Sequence, residues 1–122
     1  MSGTAGPGLE HQLSMNRVTW EKLREHGLED GRELSLDFFF FAPGEDDARA
    51  LASYLEVETD YEVEVSSAKA GLLSRRQWVV GGSTRPAPVT LDVLDEWVTW
   101  MVAAGRAHGC EFDGWGAFAP DA

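Results

Sequence analysis

The sequence predicts an α+β fold, an antiparallel four-stranded sheet with two helices on one face and a short additional helix at the N-terminus. Three observations carry that expectation. Strand-like and helix-like runs follow one another in the order strand, helix, strand, strand, helix, strand. The run Phe38-Phe39-Phe40-Phe41 is apolar on both faces of an extended chain, as a central strand requires. With 122 residues, 43% of them hydrophobic, the chain has material for one core and one domain.

Taken in order, residues 1–15 are rich in Gly, Ser and Thr and predict a flexible leader without a function of its own. The domain proper is expected over residues 16–120, with its core at 33–119. Asn16 is placed to cap a short helix over 16–27 that runs through Val18, Trp20, Leu23 and Leu28, stops near Gly27 and offers Trp20 and Leu23 for docking. A strand over Glu33 to Ala42 alternates Leu34 and Leu36 with Ser35 and Asp37 before the four phenylalanines, and Pro43-Gly44 breaks it. Glu45-Asp46-Asp47 then puts negative charge at the positive end of a helix, whose apolar stripe is Ala48, Leu51, Ala52 and Leu55.

Tyr61-Glu62-Val63-Glu64-Val65-Ser66 alternates strictly, which predicts a strand with one buried side and an acidic side in water. Residues 68–76 read as a hairpin connection, and Gln77-Trp78-Val79-Val80-Gly81-Gly82 resumes the sheet as its antiparallel neighbour. Gly81-Gly82-Ser83-Thr84 lacks the lysine of a phosphate loop and reads as a tight bend leading into a proline-rich loop over Ser83 to Pro88. Thr90 starts the second helix, with Leu91, Leu94, Val98, Met101 and Val102 at helical spacing, Asp92, Asp95 and Glu96 in its first turns, and Gly109 to stop it. In the closing segment Glu111 to Phe118, Phe112, Trp115 and Phe118 suit a half-buried strand, while Gly114 and Gly116 predict a bulge or a close backbone approach.

This layout is the ferredoxin-like βαββαβ sandwich. Its second sheet face must dispose of part of Phe38 to Phe41, and either the N-terminal helix, through Trp20, or a second subunit is expected to cover it.

The formal net charge is −11, so the long-range field repels phosphate backbones and anionic lipids, and neither nucleic acid nor a membrane is an expected direct partner. A basic protein segment is. Cys110 is the single cysteine, which rules out an internal disulfide, and the N-terminus lacks the basic start and apolar run of a secretory signal. A cytoplasmic protein is expected.

Chemistry-bearing patterns are sparse. His108, Cys110 and Asp113 could each bind zinc, yet their spacing fits no strong zinc pattern, and acidic neighbours would not activate Cys110 as a nucleophile. The paired carboxylates sit at helix starts, where the helix dipole already accounts for them. No catalytic residue, metal or cofactor is therefore expected, and the chain reads as a non-enzymatic binding module. Candidate partner-binding residues are Asp113 and Trp115 on the closing strand, with Asp46, Asp47, Asp92, Asp95 and Glu96 for electrostatic steering. Trp97 and Trp100 are further candidate anchors.

The closing Glu111-Phe112-Asp113-Gly114-Trp115-Gly116 resembles the last strand of the ribonuclease E inhibitor B family, the RraB regulators of ribonuclease E activity. Weaker likenesses are Tyr61-Glu62-Val63 and Trp78-Val79-Val80, and the resemblance spans about residues 33–119. It implies a ferredoxin-like fold and a protein that binds ribonuclease E, or a related RNA-degrading complex, outside its chemistry. A Gly-rich leader and the lack of a long acidic C-terminal tail set this sequence apart from better-known members. The alternative reading is a ferredoxin-like domain that binds a ligand or pairs with itself as a homodimer through its open sheet face, with no ribonuclease partner.

Overall fold

A computed structural model describes residues 6–70 and 75–117. The elements are helix α1 (Gly6–Glu25), strands β1 (Arg32–Leu34) and β2 (Leu36–Ala42), helix α2 (Glu45–Glu58), strands β3 (Glu62–Ala70), β4 (Arg75–Ser83) and β5 (Ala87–Val89), helix α3 (Leu91–Ala107) and strand β6 (Glu111–Ala117). The start of the expected leader, the turn of the β3–β4 hairpin and Phe118 lie outside the described residues.

Four strands form one sheet in the order β3-β4-β2-β6, each neighbouring pair antiparallel. β2 lies inside it because both its faces are apolar. Phe38, Phe40 and Ala42 point to the side covered by helices and are buried, while Phe39 and Phe41 point away from it. Ala48, Leu51, Ala52 and Leu55 of α2 and Val98, Met101, Val102 and Ala104 of α3 close over Phe38, Phe40, Val80 and Phe112. The rings meet edge-on, Phe40 against Phe112 at 5.2 Å between centroids.

Two glycines let these layers approach. A Cβ on Gly105 would come within 3.0 Å of the Phe40 ring, and one on Gly82 would strike the backbone carbonyl of Glu62 and the ring of Phe38. Gly81 and Gly82 are members of β4, as the run Gln77 to Gly82 predicts, paired with Phe39 and Phe38, and the tight bend expected at Gly81-Gly82-Ser83-Thr84 does not fall on them. The space above them is taken by the phenylalanine rings of the neighbouring strand.

Helix ends follow local chemistry. Gly27 and Gly109 have φ of 97° and 73°, the left-handed conformation that closes a helix. Each is followed by the paired backbone bonds of a Schellman turn, Leu28 N–H to Leu23 O and Cys110 N–H to Gly105 O. At the start of α3 the Thr90 hydroxyl accepts from the Val93 amide at 3.2 Å. Thr90→Ala is expected to lower stability by about 1 kcal/mol, read as a shift of the urea midpoint at constant slope.

α1 differs from expectation. It is a 20-residue helix that begins at Gly6, so part of the predicted leader is helical and Asn16 lies inside the helix instead of capping it. Leu9, Leu13, Asn16, Trp20 and Leu23 share one face, and the long apolar stripe draws residues 6–15 into the fold. Moreover, α1 lies against α3, on the helical side of the sheet, and leaves the other face alone. Trp20 is buried in a second cluster with Leu28, Leu34, Leu36, Val89 and Leu94.

The expected strand from Glu33 is divided at Ser35. Its first part, β1, pairs with β5, which forms within the presumed proline loop. Thr84 makes the division: its amide donates to Leu36 O at 2.8 Å, its hydroxyl accepts from the Leu36 amide at 3.0 Å, and its carbonyl accepts from the Ser35 hydroxyl at 2.6 Å. Pro88 is tolerated because β5 is an edge strand.

Candidate functional site

Among the described residues, no element covers the face of the sheet opposite the helices. Strand pairing places its occupants. Phe41 stands between Val79 and Glu111, Phe39 between Gly81 and Gly114, and Asp37 between Ser83 and Gly116. Farther out, β3 adds Glu62, Glu64 and Ser66 beside Ser83, Gly81 and Val79. Phe39 is 46% exposed and Phe41 36%, a costly arrangement for two aromatic rings in the middle of a sheet. Around them Glu62, Glu64, Gln77 and Glu111 are exposed, and the positions of this face beside Asp37, Phe39 and Phe41 carry acids and no Lys or Arg.

The glycines widen the face. A Cβ on Gly114 or Gly116 would meet nothing within 4 Å, so the backbone beside Phe39 is open to approach. The bulge predicted for the closing strand is present. Register shifts between Phe39 and Phe40, leaving Asp113 as the extra residue, and Gly114 takes a φ of 151°. At the β2 and β6 end the face runs into a groove of about 570 Å³ lined by Phe41, Ala42, Pro43, Gln77, Gly109, Cys110 and Glu111.

The residues singled out from sequence are scattered. Asp113 is exposed at the bulge, and Gln12 of α1 reaches its backbone carbonyl at 3.4 Å. Trp115 points to the core side, where its indole N–H donates to Asn16 Oδ1 at 2.7 Å. Asn16 Nδ2 in turn donates to Asp95 Oδ1 at 3.0 Å, so two predicted residues, Trp115 and Asp95, are joined through a buried third. Asp47 lies beside Gly109, which puts the start of α2 at the end of α3. Since α3 is 17 residues long, the Asp46–Asp47 group stands about 25 Å along the helix layer from Asp92 and about 18 Å from Glu96. These acids do not form one patch. Trp97 donates to the Tyr61 hydroxyl at 3.0 Å, and Trp100, 37% exposed, stacks on Tyr54.

Cys110 and His108 do not face each other as nucleophile and base. His108 Nδ1 bonds the Ala104 carbonyl at 2.9 Å, and the buried Cys110 thiol points toward the carbonyls of His108 and Asp47. Burial, with a smaller push from the Asp47 carboxylate, raises the thiol pKa and keeps the nucleophilic thiolate scarce. Among the described residues, no three His, Cys, Asp or Glu side chains are grouped to hold a metal ion. Nor is any described helix long and apolar enough to cross a membrane.

Phe39 and Phe41 were legible as an unexplained surplus of apolar residues in one strand, and Glu62 and Glu64 as the wet side of an alternating one. What sequence reasoning missed is that these two signals lie on the same face, because Ser83 and Gly81 of β4 pair with Asp37 and Phe39 on one side and with Glu62 and Glu64 on the other.

The described residues form an α+β domain with three helices, antiparallel sheets and one uncovered sheet face rimmed by acids. The chain belongs to the RraB family, regulator of ribonuclease activity B, whose family model matches residues 14–117. A search of curated proteins finds no match to it. The matched region runs from within α1 to the end of β6 and so contains every residue of the free sheet face.

Proposed function

We propose that the protein regulates a ribonuclease of the ribonuclease E kind by binding the enzyme or a component of its RNA-degrading complex, and that it catalyses no reaction itself. The observation that carries this reading is the family match over residues 14–117. The strand order β3-β4-β2-β6 with α2 and α3 on one face supports a ferredoxin-like core, a scaffold that leaves a sheet face free for a partner. A net charge of −11 favours a basic protein segment over RNA, since two polyanions repel. Asp46, Asp47, Asp92, Glu96 and Asp113 contribute to the field that draws such a segment in, whereas Asp95 and Trp115 act from within by holding α1 to the sheet. In this reading the protein works in the cytoplasm, where RNA turnover takes place.

The test is an RNA-cleavage assay with purified ribonuclease E, in the presence of its complex partners and without them, as this chain is added. The cleavage rate is expected to fall or the complex to change composition, while the chain alone leaves RNA intact. An unchanged rate together with no binding at low salt would overturn the reading. Exposure of Phe39 and Phe41 also favours a second reading, self-association through the same face, which sedimentation at high concentration examines.

A further inference from the structure

We propose that the uncovered sheet face is a docking surface for an arginine-bearing basic segment of a protein partner, laid across β2 and β6 so that guanidinium groups stack on Phe39 and Phe41 and pair with the carboxylates around them. The proposal deepens the regulator reading and rests on its premise that the protein acts by protein contact.

The shape of the face comes first. Phe39 and Phe41 rise from the central strand, and on the β6 side Gly114 and Gly116 present no side chain, with open space where a Cβ would stand. The result is a shallow trough floored by glycine backbone and walled on one side by aromatic rings. Its far end opens into the groove beside Phe41, Pro43, Gln77 and Glu111, which has room for a long side chain.

Charge then selects the occupant. Glu111 adjoins Phe41, Asp37 adjoins Gly116, and Glu62 and Glu64 line the β3 side, so the positions beside Asp37, Phe39 and Phe41 on this face carry acids and no Lys or Arg. A second copy of the chain would bring the same carboxylates onto these, and RNA or an anionic lipid surface would be repelled. Only a cationic occupant offsets the field. The rings narrow the choice further. A guanidinium is planar and weakly hydrated, so it lies flat on an aromatic ring while its edge donates to a carboxylate beside it. A lysine ammonium is a compact, strongly hydrated charge and makes the stack less well.

Fluorescence anisotropy with the full chain tests this, using a labelled peptide that alternates Arg with Ser and a counterpart with Lys in place of Arg. The Arg peptide is expected to bind several-fold more tightly than the Lys peptide and to weaken as salt rises. Phe39→Ala combined with Phe41→Ala is expected to lose about tenfold in affinity, the effect of two exposed cation–π contacts. Glu64→Gln with Glu111→Gln should lose a similar amount, while Glu21→Gln with Glu25→Gln, the same charge change on α1, should leave binding as it was. Equal affinity for the two peptides, or equal losses in the sheet-face and α1 variants, would mean that general acidity does the binding and would overturn the proposal. A dimer that the double Phe variant abolishes would assign the face to a second copy and overturn it as well. The surface and the regulator reading can fail separately. A double Phe variant that still binds and regulates the ribonuclease removes the surface alone, while ring-dependent Arg binding without any effect on a ribonuclease removes the regulator reading alone.

Discussion

Phe40→Ala is expected to destabilise the fold by about 3–5 kcal/mol, and Phe39→Ala, one residue away, by only about 1 kcal/mol. The difference comes from the two faces of β2. Phe40 is fully buried, 5.2 Å from the Phe112 ring and 6.1 Å from that of Phe38, whereas Phe39 is 46% exposed. Truncation of Phe40 also leaves a void that the surroundings cannot readily fill. The residue above it is Gly105, with no side chain to swing down, and α3 is tied at that point by the Cys110 amide bonded to Gly105 O. The cost should therefore fall toward the upper part of the range. For a domain of this size, stable by roughly 5–15 kcal/mol, that is a large share of the total. Urea unfolding followed by tryptophan fluorescence measures both variants in one experiment, since the chain has five Trp. Equal losses at the two positions would mean that the sheet is buried on both faces, and the docking surface would go with it.

The core of this fold was legible wherever the determining interactions are local. Strict alternation over 61–66 announced β3, a doubly apolar run announced the central strand, and Gly27 and Gly109 announced two helix ends that the structure closes with left-handed glycines. What failed to show depends on partners far away in the chain. Asn16 has the local look of a cap, a polar residue ahead of an apolar stripe, but its bonds go to residues 95 and 115, which only the folded chain brings near. Pro86 and Pro88 suggested a loop, and the three-residue β5 between Pro86 and Thr90 exists only because β1 supplies its pairing. Gly81-Gly82 fits both the end of a strand and a bend, and nothing local says that Phe38 and Phe39 from another strand occupy the space above them. The candidate site divides in the same way. Its acids and aromatics could be listed from alternation, but their common face required the strand order, and the helix-start acids chosen for steering turned out to lie on the other layer.

Asn16→Ala is expected to cost about 1–3 kcal/mol, because it leaves two part-buried hydrogen-bonding groups without their partner. Asn16 is fully buried, accepts from Trp115 Nε1 at 2.7 Å and donates to the Asp95 carboxylate at 3.0 Å, the latter a charge-assisted bond. One side chain thus joins α1, α3 and β6, and all three residues fall within the family-matched region. A double-mutant cycle with Trp115→Phe separates the bond from the packing, and a coupling of about 1 kcal/mol or more is expected. Asn16→Asp sharpens the test. At neutral pH it sets a second carboxylate against Asp95 in a buried place, where like charges resist joint ionisation, and it should destabilise more than alanine does. As pH falls, the introduced carboxyl takes up a proton and can donate to Asp95, so its own folded-state pKa is raised above the unfolded value. Stability contributed in this way is present at low pH and lost as pH rises through that value. The Asp variant should accordingly gain stability on mild acidification relative to the parent and to Asn16→Ala, in melts recorded across that range. If the Asp variant instead tracks the alanine variant at every pH, Asn16 does not face Asp95 in solution and α1 is held by its apolar stripe alone.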